Sequence, residues 1–173
     1  MLNPLRRPGS AKQAAAQLHQ AMVARAREGV FFRALGVPDS IDGRFDLLVL
    51  HAWLVLDRLK ALGARELSQA LIDTLFLGFD EGLRELGAGD MGMGRRMKKL
   101  ADAFYGRLAA YDACRNETDL SDSVLRNLYR GNPERTAEAA AVARYAMAAR
   151  EIFVTCDLAN GSAEFGPLPE ATR

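Results

Sequence analysis

From Glu66 to Leu86 the sequence reads ELSQALIDTLFLGFDEGLREL, and Leu67, Leu71, Leu75, Phe79, Leu83 and Leu86 recur in it at steps of three and four. That spacing returns to one side of an α-helix, so the stretch predicts a helix with a single apolar stripe turned toward a core. Beyond the glycine-rich link Gly87 to Gly92 the pattern resumes in Met93, Met97, Leu100, Phe104, Leu108 and Tyr111, with Asp90 as the expected N-cap. Two successive stripes joined by a short link predict an antiparallel helical pair.

Upstream of this pair, Phe45 to Leu62 is apolar on nearly every side and stops at Gly63, the pattern of a central helix covered by its neighbours. Gly36, Pro38 and the polar run Asp39 to Gly43 separate it from a short helical piece around Phe31, Phe32 and Leu35. Ser10 and Gln13 form a capping-box pattern for a first helix over roughly residues 11–28. Downstream, a short helix carries Val124, Leu125 and Leu128, and Pro133, placed where a helix tolerates proline, opens an alanine-rich helix to about Thr155. No segment alternates in the manner of a strand. The fold expected is all-α: a single compact helical domain of about six to seven helices over 11–157. It is flanked by a flexible N-terminus, 1–10, and a flexible C-terminal tail, 158–173, where Gly161, Gly166, Pro167 and Pro169 cluster. Leu50, Trp53, Leu54, Leu71, Leu75, Met97, Leu100 and Phe104 are the expected core.

Composition narrows the functional classes. The chain has 173 residues, 49% hydrophobic and 26% charged, which suits one globular core rather than a disordered chain. With 23 basic and 22 acidic residues the net charge is +1, so the molecule as a whole is not built to coat nucleic acid or anionic lipid, and any electrostatic partner is met locally. Cys114 and Cys156 sit far apart in no ligand-like spacing and read as reduced thiols. No run reaches the ~20 apolar residues of a membrane span, and no apolar signal-peptide core precedes the domain, so export is not expected and the sequons at Asn116 and Asn160 read as accidental. The N-terminus is basic up to Glu28, the first acid, a pattern shared with amphipathic transit peptides.

Catalytic and cofactor motifs fail on context. Gly87 to Gly92 satisfies GxGxxG, but a helix precedes it where a dinucleotide fold needs a strand, and Arg95-Arg96 follow where a phosphate loop needs Lys-Ser or Lys-Thr. The two histidines, His19 and His51, have no partner at metal-binding spacing, and His51, inside the apolar helix, reads as a hydrogen-bonded core histidine. Neither a metal, a cofactor nor an enzyme activity is expected. The informative feature is Arg95, Arg96, Lys98 and Lys99, four cations in the first turns of a helix whose N-terminal dipole favours acids, each unfavourable there by about 0.3 kcal/mol. One reading is a solvated face neutralised by Asp80, Glu81 and Glu85 of the preceding helix; the rival is a surface for an anionic partner. Gly106, a mid-helix glycine opposite the Met/Leu stripe, costs about 0.5 to 1 kcal/mol against alanine and marks a place for close approach.

Three stretches carry a family resemblance: Leu35-Gly36-Val37-Pro38-Asp39 through Asp42-Gly43-Arg44-Phe45-Asp46, then Leu50-His51, then Gly89-Asp90-Met91-Gly92-Met93-Gly94-Arg95-Arg96-Met97-Lys98 running into Ala103-Phe104-Tyr105-Gly106-Arg107. Over roughly residues 12–155 the chain resembles the ubiquinol-cytochrome c chaperone family, and its compact length resembles the bacterial members, which counts against the transit-peptide reading. The resemblance implies a non-catalytic assembly factor of the cytochrome bc1 complex that holds newly made cytochrome b. It would work in the cytoplasm with peripheral contact to the inner membrane, and the mitochondrial members work with a small partner protein near the ribosome exit. Arg95, Arg96, Lys98, Lys99 and Arg107, with Asp90, Tyr105 and Gly106 beside them, are the expected partner-binding residues, and Met91 and Met93 would add adaptable apolar contact. The alternative is an RNA- or ribosome-associated helical module, favoured by the basic cluster and disfavoured by the balanced charge and the lack of a long basic stripe.

Overall fold

A computed structural model of the chain describes residues 10–87 and 90–170, without the side chains of Asp90 and Met91. Among the described residues there are seven α-helices and no strand: α1 (Ser10–Ala26), α2 (Gly29–Arg33), α3 (Ile41–Ala61), α4 (Arg65–Glu85), α5 (Asp90–Asp112), α6 (Glu117–Leu128) and α7 (Thr136–Phe153). The all-α expectation is met. Residues 1–9, and with them most of the expected flexible N-terminus, lie outside the described residues, and Asp90, expected to cap α5, is its first helical residue.

Local chemistry sets the helix ends. Ser40 caps α3 by accepting from the Gly43 amide at 3.1 Å, and Asn116 caps α6 by accepting from the Asp119 amide at 2.9 Å. Gly43 is sterically required, because a Cβ there would sit 2.0 Å from the Pro38 carbonyl oxygen folded against the first turn of α3. Pro133 opens a 3-10 turn, Pro133–Arg135, that leads into α7.

α3 is the centre. Leu47, Leu50, Trp53, Leu54, Val55 and Leu59 are buried, and the helix touches α1, α4, α5, α6 and α7. The closest helix pairs are α1 with α4 and α6 with α7. α1 buries Ala11, Ala14 and Ala15, and α7 buries Ala139, Ala143, Ala146 and Ala149, small side chains that let neighbouring elements come close. α4 and α5, expected as a pair, do touch, and large rings lie at their contact: Phe76 and Phe79 meet Phe104 at centroid distances of 5.4 and 6.2 Å.

Of the expected core, Leu50, Trp53, Leu54, Leu71, Leu75 and Phe104 are buried, whereas Met97 and Leu100 are only half-buried. The stripe of α4 behaves alike. Leu67, Leu71 and Leu75 are fully buried, Phe79 and Leu83 half-buried, and Leu86 is 58% exposed.

His51 is completely buried. Its Nδ1 lies 2.7 Å from the Leu47 carbonyl oxygen, which can only accept, so Nδ1 carries the proton and Nε2 accepts from the Tyr145 hydroxyl at 2.9 Å. Tyr145 in turn accepts from Arg25 Nε at 2.9 Å. Arg25 also donates to the Gly166 and Pro167 carbonyls, and Phe165 is buried edge-on against His51 and Phe153 at 5.2 and 5.1 Å. Residues 158–170, read as a flexible tail, are extended beyond a 3-10 turn at Leu158–Asn160 and lie packed over the α1, α3 and α7 junction.

Candidate partner-binding site

The uncovered half of the α4 stripe borders an open apolar slot of about 220 Å³. Its walls are Val23, Ala26 and Arg27 at the end of α1, Ile41, Arg44, Phe45 and Leu48 of α3, Gly78, Phe79, Gly82, Leu83 and Leu86 around the end of α4, and Leu100 of α5. Ile41, 64% exposed, and Leu86 stand at its mouth. A second, wider groove shares Ile41, Phe45 and Leu100 with the slot and continues onto Asp42, Arg96, Lys99, Ala103, Arg107, Arg126, Asn127 and Arg130. The two form one continuous surface, apolar at one end and basic at the other.

Helical phase divides the predicted cluster. Arg96, Lys99, Ala103 and Arg107 follow steps of three and four and share the groove side of α5. Arg95, Lys99, Asp102 and Gly106 share an exposed crest, and Lys98 is exposed but does not line the groove. Tyr105 points away: it is half-exposed, stacked 6.1 Å from Phe76 and edge-on to Phe104. Met93, expected to add surface contact, is buried, and the side chains of Asp90 and Met91 lie outside the described residues. Around Gly106 nothing lies within 4 Å of where a Cβ would be, so no packing within the chain requires the glycine.

Arg107 departs from the expected exposed surface. Its side chain is 18% exposed and its Nε lies 2.6 Å from Oδ1 of Asp46, which is fully buried; Arg130 Nη1 reaches Oδ2 of the same carboxylate at 2.7 Å. These are close ion pairs whose N–H groups are not aligned on the oxygens as hydrogen bonds. A carboxylate buried in an apolar helix needs such partners, since an isolated buried charge is prohibitively costly. Burial still wins over both guanidiniums and holds the Asp46 carboxyl above its ordinary pKa. Burial and the neighbouring Asp46 push the Tyr111 phenol up in the same way. Arg130 adopts a left-handed backbone, φ 56°, with Gly131 following at 74°. That is uncommon for a residue with a Cβ, and its side chain is held by Asp46 and by the Asn127 carbonyl.

Arg96, Lys99 and Arg126 are exposed and have no carboxylate within ion-pairing distance among the described residues. Asp80 pairs with Arg84 on its own helix at 2.8 Å, and among the described residues no ion pair within 4 Å links the α4 acids to the α5 cations. The shelf therefore presents unpaired positive charge beside apolar surface. Sequence reasoning missed Asp46, Arg126, Arg130 and the slot itself. Only Asp46 left a signal, as an acid at the start of the apolar run that follows Phe45.

Among the described residues no cluster of three or more His, Cys, Asp or Glu side chains is arranged to hold a metal, and no helix is long and apolar enough to cross a membrane. The family model described as ubiquinol-cytochrome c chaperone matches residues 33–159, well over half of the chain. The chain belongs to the ubiquinol-cytochrome c chaperone family. It is similar to the crystal structure of a Cbp3 homologue from Brucella abortus, with a TM-score of 0.78, 36% identity, and coverage of 91% of this chain and 92% of that one. It is also similar to ubiquinol-cytochrome-c reductase complex assembly factor 1 of Xenopus laevis, 22% identical over 121 residues, 68% of this chain. The match spans 60% of that relative's length. The matched region contains α3 to α7, and so all of the basic shelf and all of the slot except its α1 wall.

Proposed function

We propose that this chain is a non-catalytic assembly chaperone of the cytochrome bc1 complex that holds newly made cytochrome b through the basic shelf of α5 and α6. What supports the reading is an exposed groove carrying unpaired cations next to apolar surface, in a chain of the ubiquinol-cytochrome c chaperone family. Such a surface suits reversible capture of a protein segment, because cations on a rim speed and orient encounter while apolar contact supplies affinity. Its expected workplace is the cytoplasmic side of the inner membrane, in peripheral contact with it.

The test is affinity capture of the tagged protein from detergent-solubilised membranes of its own organism, with immunodetection of cytochrome b. Replacing Arg95, Arg96 and Lys99 by glutamine should leave stability within about 0.5 kcal/mol, since exposed charges rarely contribute more, yet lower the recovery of cytochrome b severalfold. Recovery equal to the parent from a normally folded variant would reduce the cluster to a solvated face. The RNA-binding alternative makes its own forecast: tight RNA binding that collapses steeply as salt rises, through counterion release.

A further inference from the structure

We infer that the slot at the end of α4 is a docking site for a helix of a partner protein that carries large apolar side chains together with carboxylates. Two independent features point there. The first is continuity of chemistry: the apolar slot opens at Ile41 and Phe45 directly onto a shelf where Arg96, Lys99 and Arg126 lack acidic partners. An occupant that fills the slot and continues along the groove passes those cations, and carboxylates at that point would satisfy them. A basic occupant would meet repulsion, as would the chain's own N-terminal residues, with Arg6 and Arg7.

The second feature is the pair of glycines, Gly78 and Gly82, one turn apart on the slot side of α4. Glycine in a helix interior is unfavourable relative to alanine and is kept where a backbone or ring must come close. At Gly78 a Cβ would lie 3.7 Å from His19 Nε2, an ordinary van der Waals contact, so α1 covers this position without requiring the glycine. At Gly82 nothing of the chain lies within 4 Å. The open space at Gly82 is the place for a helix from outside, since a position without a side chain lets a partner come close to the backbone. The slot's size agrees: about 220 Å³ is below the ~300 to 1,000 Å³ of sites that enclose a whole small-molecule ligand, and it suits anchoring side chains.

That the docked helix comes from cytochrome b rests on the function proposed above; the preference of the slot for an apolar and acidic helix does not. The probes are two labelled synthetic helices with the same leucine and phenylalanine face, one bearing glutamates on its other face and one lysines. Anionic phospholipid vesicles are a third. Fluorescence anisotropy should show the glutamate helix binding the full chain at least tenfold more tightly than the lysine helix, and more weakly as salt rises. Gly82→Leu fills the slot at a position with open space, and should weaken glutamate-helix binding at least tenfold while the melting temperature stays level or rises. Ile41→Glu, at an exposed residue of the mouth, should weaken it likewise and serves if Gly82→Leu fails to fold. Equal binding of both helices, unchanged affinity in a folded slot variant, or vesicle binding that the slot variants abolish while the glutamate helix is ignored would each overturn the proposal. If cytochrome b is recovered by the parent and by Gly82→Leu alike, the assignment of the docked helix to cytochrome b falls, while the slot's preference, read from the two synthetic helices, and the chaperone reading stand. If the parent recovers none while the glutamate helix binds as expected, the slot's preference stands and the cytochrome b reading falls.

Discussion

His51 is a titratable group sealed in a chain of donors and acceptors that runs from Arg25 through Tyr145 to the Leu47 carbonyl. Burial lowers its pKa from 6.5 to about 4, aided by the positive charge of Arg25 and opposed by the bond to Leu47. The unfolded chain therefore takes up this proton first, and the stability His51 contributes is complete above pH 6.5 and is lost as the pH falls toward 4. At pH 5 the loss is about 2 kcal/mol relative to pH 7.5. Asp46 works in the opposite direction, because its raised pKa favours proton uptake by the folded state as the pH falls. The clean measurement is the difference between parent and His51→Gln in urea unfolding at the two pH values. The parent should lose about 2 kcal/mol more than the variant, and equal losses would mean that His51 is not the group responsible.

Helix α5 unites two demands on one element. Its inner face buries Met93, Phe104 and Tyr111, while Arg96, Lys99 and Arg107 line the groove. Glycine at 106 serves neither demand inside the chain. Gly106→Ala should therefore raise stability by about 0.5 to 1 kcal/mol, through a more restricted unfolded chain and a better helix interior. If a partner lies close to the exposed crest, the same variant should recover less cytochrome b in spite of its greater stability. A drop in stability would instead place an unrecognised close contact at Gly106. The alanine-rich face of α7 carries the contrary expectation. Ala143→Leu inserts methylenes where α7 packs closely, and should cost about 1 to 3 kcal/mol in urea unfolding; a neutral result would show that α6 and α7 can move apart freely.

The C-terminal segment closes the whole molecule over the His51 cluster, with Phe165 as its anchor and Arg25 as its clamp. Phe165→Ala removes a ring packed on His51 and Phe153, and should cost about 3 kcal/mol and open His51 to water, raising its pKa toward 6.5. Unfolding together with NMR titration of the imidazole would check both effects; an unchanged pKa would show that the strap does not seal the site. The sequence by itself determined the all-α class, the positions of the helices, the central place of α3 and the family, because periodicity, caps and short motifs are local and survive without knowledge of neighbours. It also placed four exposed cations on α5, since helical phase follows from numbering. It misplaced Arg107, because spacing cannot say that Asp46, some sixty residues earlier, waits buried beneath it. It overextended the core to Met97, Leu100 and Leu86 for a related reason: an apolar stripe states that a face prefers cover, while whether any helix of the same chain supplies it is decided by tertiary packing. The packing put α1 against α4 and α6 against α7, and the apolar face left uncovered where α1, α3, α4 and α5 meet became the slot.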